Sequence, residues 1–128
     1  MFERITLPAS KLPPAGPYSH AVRAGDFLFV TGQLAEDSDL GGINTGPIET
    51  QFHQVMRNLQ TVLTHAGASL DQAAMVRIFV TDIRHLPIVN ELYPTYFPQG
   101  LPGRTSIGVT GLAGMGDIEI DLIVYCGG

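Results

Sequence analysis

Apolar and polar positions alternate with a period of two near the end of this chain. Ile118, Ile120, Leu122 and Val124 fall on one side of a strand predicted over Ile118 to Tyr125, and Glu119, Asp121, Ile123 and Tyr125 fall on the other. A shorter strand is predicted just before it, Thr105 to Val109, separated by the Gly-rich turn Gly111 to Gly116. Earlier in the chain, Glu3 to Leu7 has strand character. Pro8 to Pro17 holds four prolines and reads as an extended loop. His20 to Arg23 and Phe27 to Gln33 form a predicted hairpin around Ala24-Gly25-Asp26, and Glu36 to Gly46 is polar and reads as loop.

At Ile48 the period changes. Ile48, Phe52, Val55, Met56, Leu59, Val62 and Leu63 recur at helical spacing, so an amphipathic helix is expected from here to a stop at Gly67, with Thr45 or Gly46 as cap and Pro47 in its first turn. Met75 to Thr81 is rich in β-branched and aromatic residues and predicts a strand. Pro87 to Phe97 predicts a second helix with Ile88, Leu92 and Tyr96 on one stripe and Val89, Tyr93 and Phe97 beside it. Pro94 removes a backbone donor there and forces a kink or an early end. The resulting order predicts an α+β fold, a single domain over residues 1–128 with one mixed β-sheet and two helices packed on one face. The other sheet face then needs a cover, and association of subunits supplies one.

Composition narrows the picture. Charged residues make up only 15% of the chain, low for the surface of a small monomer, which again points to surface covered by other subunits. The net charge is −5 with Lys11 as the single lysine, and the six arginines form no basic run. Nucleic acid is therefore a poor partner for this chain. One cysteine, Cys126, excludes an internal disulfide, and no window approaches the length of a membrane span. A soluble protein of the cytoplasm is expected. His20, His53, His65 and His85 lack metal-ligand spacing, so no metal is expected.

The chemical candidates lie where polarity interrupts the apolar strands. Glu119 and Asp121 stand in so apolar a strand that they require water, a cation or a ligand. Arg104 is the nearest cation in sequence. From the residues alone, two readings stay open: a structural ion pair at a sheet edge, or a guanidinium fork kept for an external carboxylate. Tyr18 sits at the end of the proline-rich loop, a place suited either to ligand contact or to packing over a subunit seam.

Four segments carry a resemblance. Gly16-Pro17-Tyr18-Ser19-His20-Ala21-Val22, Phe29-Val30-Thr31-Gly32-Gln33, Val89-Asn90-Glu91-Leu92-Tyr93, and Leu101-Pro102-Gly103-Arg104-Thr105-Ser106 followed by Ile118-Glu119-Ile120-Asp121 resemble, in this order and spacing, the Rid family of reactive intermediate deaminases (YjgF-type proteins). The resemblance implies a chorismate-mutase-like α+β fold in a homotrimer with clefts between subunits. It implies hydrolysis of reactive enamines and imines such as 2-aminoacrylate and other 2-imino acids to 2-keto acids and ammonia, with no cofactor. In that reading Arg104 holds the substrate carboxylate and Glu119 positions the attacking water. Tyr18 lies in the cleft, and Thr31 and Asn90 line or support it. Ser106 departs from the best-known members, which carry cysteine here; the cleft is thought to use this residue's backbone. Asp121 is assigned a structural part. A ring-cleavage enamine hydrolase of the 2-aminomuconate deaminase kind, a non-catalytic trimer that binds small carboxylates, and a ribonuclease are the alternatives. The acidic charge argues against the last.

Overall fold

The computed structural model describes residues 1–13 and 16–127; Pro14 and Ala15 of the proline-rich loop and Gly128 lie outside the described residues. The strands are β1 (Phe2–Ile5), β2 (Ala21–Ala24), β3 (Phe27–Gln33), β4 (Glu36–Asp37), β5 (Gly42–Ile43), β6 (Ala73–Val80), β7 (Gly103–Gly108) and β8 (Ile118–Tyr125). The helices are α1 (Ile48–His65) and α2 (Leu86–Leu92). Six strands form one sheet in the order β1-β2-β3-β8-β6-β7. Only the β6–β7 pair is parallel, so the sheet is mixed as expected. α1 and α2 both cover one face of it.

The helix-covered face is the core. Ile118, Ile120, Leu122 and Val124 of β8 are all buried, with Val76, Ile78 and Val80 of β6 opposite them and Leu28 and Val30 of β3 on the other flank. α1 adds Ile48, Phe52, Val55, Met56, Leu59, Val62 and Leu63, every one buried. Fully burying a side chain of this kind stabilises by about 1.5–3 kcal/mol, so this stripe is the main anchor of the helix. Gly67 follows the helix with a φ of +77°, a left-handed turn that glycine adopts without steric cost.

Several expectations change in detail. The first strand runs Phe2–Ile5 rather than Glu3 to Leu7, because Leu7 turns inward and its N–H donates to His20 Nδ1 at 2.9 Å. The loop after it is not simply extended, since Lys11 and Leu12 N–H groups both bond the Pro8 carbonyl and bury Leu12. Glu36 to Gly46 contains the small hairpin of β4 and β5, held from below by the buried Asn58, whose amide donates to the carbonyls of Leu34 and Glu36. The cap of α1 is neither Thr45 nor Gly46. Pro47 takes the cap position, and the buried Gln51 side chain does the tying: it donates to the Gly46 carbonyl and to Asp117 Oδ2, and accepts from the Asp117 N–H. The strand predicted over Met75 to Thr81 spans Ala73–Val80, and the one predicted over Thr105 to Val109 spans Gly103–Gly108. The second helix ends at Leu92 as α-helix and continues through Pro94 as a tighter 3₁₀ turn, Tyr93–Tyr96. Of its two stripes, Val89, Tyr93 and Phe97 form the buried one.

Among the described residues, nothing covers the opposite sheet face. Phe27, Phe29, Ile107 and Tyr125 are exposed there, and the rings of Phe27 and Tyr125 meet at a tilt across neighbouring strands, 5.5 Å between centroids.

Candidate active site in two halves

Strand pairing decides which face each candidate occupies. Arg104 pairs with the buried Val76 across the parallel β6–β7 ladder, so its side chain leaves the sheet on the helix-covered face, at the edge strand. Residues two apart on a strand share a face, so Ser106 stands beside it. The guanidinium is held on three sides: Nε donates to Ser106 Oγ at 2.8 Å, Nη2 donates to Asn90 Oδ1 at 2.6 Å, and the Tyr93 ring lies 4.7 Å from the guanidinium carbon. Asn90 and Tyr93 are three apart on the second helical segment and so project together. All of these partners are neutral. Among the described residues no carboxylate lies within ion-pair distance of Arg104. Burial lowers its pKa, opposed in part by Tyr93, but a guanidinium stays cationic throughout the physiological range.

The ion pair left open between Arg104 and Glu119 or Asp121 does not form. Asp121 instead takes Arg77, its direct partner across the β6–β8 ladder, in a two-pronged pair: Nε to Oδ1 at 3.0 Å and Nη2 to Oδ2 at 2.6 Å. Arg104 is excluded from both carboxylates because it lies on the other face.

Glu119 pairs with Phe79 across the same ladder and leaves the sheet on the uncovered face. Its carboxylate rests against Gly32; a methyl group there would collide with Oε2. The register of β3 against β8 shifts between Val30 and Gln33, so Thr31 and Gly32 form a bulge, and the missing Gly32 side chain opens the space that Glu119 fills. Burial raises the Glu119 pKa, and the Asp121 charge raises it further. Tyr18 belongs to this half. Burial, and then the charges of Glu36 and Glu119, raise its phenol pKa, while nearly half of its surface is still exposed. Tyr18, His20, Gly32, Gln33 and Glu36 line a small recess here. Thr31 works from behind. Its hydroxyl donates to the Ser19 carbonyl at 2.7 Å and its N–H to the His20 carbonyl at 3.0 Å, fastening the segment that presents Tyr18.

One chain therefore gathers Arg104, Asn90 and Ser106 on one face of the sheet and Tyr18, Thr31 and Glu119 on the other. Two participants were not singled out from the sequence, Tyr93 and Gly32. Their signals were present: an aromatic three residues after Asn90 on one helix, and a glycine inside a strand. A roomier groove, about 400 Å³, lies elsewhere, against the outer side of α1 between Lys11, Arg57 and His65. It contains none of these residues.

A mixed sheet with one helical layer and one bare face, bearing a fork-like arginine at its edge and a carboxylate packed against the β3 bulge, marks an α+β protein, and comparison with known proteins supplies the family. Residues 8–126 match the family model described as Endoribonuclease L-PSP, and the chain belongs to this YjgF/RutC/Rid family. A RutC family protein of Pyrococcus horikoshii is 38% identical over 112 residues, covering 88% of this chain and 89% of that protein. A 2-iminobutanoate/2-iminopropanoate deaminase of Dermatophagoides farinae is 31% identical, covering 87% of each. Among solved structures, a putative endoribonuclease of Thermotoga maritima superposes with a TM-score of 0.90 at 35% identity over 98% of this chain and 99% of that one. A Rid family protein of Yersinia pestis gives 0.90 at 29% identity, covering 98% and 99%.

Proposed function

We propose that this protein is a hydrolytic deaminase of small 2-imino acids and their enamine tautomers, working as a homotrimer in which each site joins the Arg104 half of one subunit to the Tyr18–Glu119 half of the next. The observation that carries the reading is electrostatic. Arg104 is partly withdrawn from water yet, among the described residues, surrounded only by neutral acceptors, so its counter-charge is left for a ligand to supply. Glu119 is likewise partly withdrawn and has no cation beside it among the described residues. A cyclic assembly through the bare apolar face suits both facts: it covers Phe27, Phe29 and Tyr125 and lets the two halves meet across a seam.

The chemistry follows from the roles. Arg104 holds the carboxylate of the imine. Glu119 accepts a proton from water as its oxygen bonds to C2, and the C=N electron pair moves to nitrogen. Nitrogen takes that proton from Glu119 to give the neutral carbinolamine. The C2 hydroxyl then passes its proton through Glu119 to nitrogen as the C2=O bond forms. The C2–N bond breaks, and ammonia leaves with the keto acid behind. A carboxyl with a raised pKa serves both proton transfers near neutrality better than an ordinary glutamate. Because such imines hydrolyse readily on their own, fixing water and C2 in contact supplies much of the acceleration. The deaminase name of the Dermatophagoides relative supports the reading.

The test is ammonia release from 2-imino acids generated in situ by an amino-acid oxidase, comparing short side chains with a dicarboxylate of the 2-aminomuconate type. Faster release from the short imines supports the proposal. No acceleration, with 2-oxobutyrate still bound, would make the chain a carboxylate-binding trimer. The endoribonuclease label of the family and of the Thermotoga structure is poorly matched by a net charge of −5 and one lysine.

A further inference from the structure

The recess beside Tyr18 has a second acid in its wall. Tyr18, Gly32 and Glu36 line it together, and the Glu119 carboxylate rests against the same Gly32. Glu36 opens β4 shortly after Gln33 ends β3, so one turn of chain joins the bulge that seats Glu119 to this second carboxylate. Its backbone is fixed: β4 pairs with β5, and the Glu36 carbonyl accepts from the amide of the buried Asn58. Tyr18 senses both acids. After burial, the charge of Glu36 and then that of Glu119 raise its phenol pKa.

Glu36 has no counter-charge among the described residues. Burial raises its pKa, and no cation opposes the shift. His20, the one base lining the recess, is buried, accepts the Leu7 N–H at Nδ1 and is held toward its neutral form by that burial. Lys11 and Arg57 flank Glu36 on its outer side, yet neither comes within ion-pair distance, and Arg57 donates to Gln54 instead. A ligand that meets Glu119 and Tyr18 therefore lies in the field of two carboxylates. Such a field reaches about 8–10 Å at ordinary salt and is stronger where water is partly excluded. We propose that Glu36 determines specificity in this half-site: its carboxylate repels ligands that carry a second carboxylate, so the site takes 2-imino acids with uncharged side chains and refuses dicarboxylates. This rests on the deaminase reading and deepens it by naming the residue that separates short imines from the 2-aminomuconate kind.

The experiment uses two five-carbon keto acids that differ at the far end, 2-oxopentanoate with a methyl group and 2-oxoglutarate with a carboxylate. Their Kd values are measured by calorimetry at pH 8 for the parent, Glu36→Gln and Glu36→Lys. The ratio of the two within each protein is the quantity read, because it cancels a general loss of affinity. The parent is expected to bind 2-oxopentanoate about tenfold tighter or more, with the ratio falling as salt is raised. Glu36→Gln is expected to shrink the ratio about fivefold, and Glu36→Lys to shrink it further or invert it. The kcat/KM values for the matching imines, made from norvaline and glutamate by oxidases, are expected in the same order. A parent without the preference, a ratio that salt does not move, or an unchanged ratio in either folded variant would overturn the proposal. A parent that shows the ratio in binding but releases no ammonia from either imine removes the deaminase reading and leaves the charge selection standing. A parent that binds neither acid removes both.

Discussion

The two faces of one sheet hold opposite charges in the same predicament. On the helix-covered face Arg104 is a cation partly out of water, embraced by Asn90, Ser106 and Tyr93 but, among the described residues, by no anion. On the bare face Glu119 is an anion partly out of water, packed on Gly32 with no cation beside it among the described residues. Side by side, the two would neutralise one another, as Arg77 and Asp121 do only two residues away from Glu119 on the same face. Strand alternation keeps them apart within a chain. The contrast with Arg77–Asp121 teaches how to tell a structural pair from an unfinished site: the first is closed in register across one ladder, while the second leaves each charge desolvated without its complement.

The comparison is tested hardest at Glu119. Glu119→Gln is expected to lower kcat by about 10²–10⁴-fold while binding of 2-oxobutyrate holds or tightens, since an anion near the ligand has been removed. A parallel loss of binding and turnover would mean that the carboxylate is structural. On the other face, Arg104→Ala is expected to cost on the order of a hundredfold in kcat/KM, mostly through lost binding, with the circular dichroism spectrum unchanged. Arg104→Lys restores part of this, because an ammonium lacks the planar fork.

Mixing sharpens the point further. Each variant alone is inactive in every site. If a site takes Arg104 from one subunit and Glu119 from its neighbour, random co-assembly of the two variants rebuilds about a quarter of the sites, and activity returns in that proportion. Activity that stays at the level of the separate variants after verified exchange places both residues in one subunit's site, contrary to the proposal.

Gly32→Ala is milder. Its methyl displaces the flexible end of Glu119 rather than any backbone, so kcat is expected to fall about tenfold with little change in melting temperature. A stability loss as large as the activity loss would show that Gly32 serves packing instead.

The smallest effect is on pH dependence. The folded-state pKa of Glu119 lies above its ordinary 4.5. The stability linked to it is therefore fully present below the ordinary value and lost as pH rises through the folded-state value. Glu119→Gln removes that loss, so the variant is expected to melt slightly above the parent at pH 7, with the gap closing toward pH 4.5. The acid limb of kcat/KM in the parent should fall above 4.5 for the same reason. A limb at or below 4.5 would contradict the burial of this carboxyl.

Much of the architecture was legible in the chain because it follows from local periodicity. The apolar side of β8, the buried stripe of α1 and the sharp end of α2 before Pro94 each depend on side chains within a few residues of one another, and a period of 2 or 3.6 is a property of the backbone itself. Polar residues that behave as core were invisible. Gln51 and Asn58 interrupt the α1 pattern, and nothing local reveals that their amides fasten Gly46, Asp117, Leu34 and Glu36.

The candidate site divides the same way. Its residue types were readable from four short segments, and Glu119 and Asp121 were placed together on one strand face by alternation alone. Their partners were not. Arg104 is nearer to them in sequence than Arg77, yet the antiparallel β6–β8 register sets Arg77 opposite Asp121, and the parallel β6–β7 register turns Arg104 to the far side with Val76. Register joins residues dozens of positions apart, and a shift of one residue exchanges the faces of a whole strand. Which charges stand alone was therefore decided only when the sheet assembled.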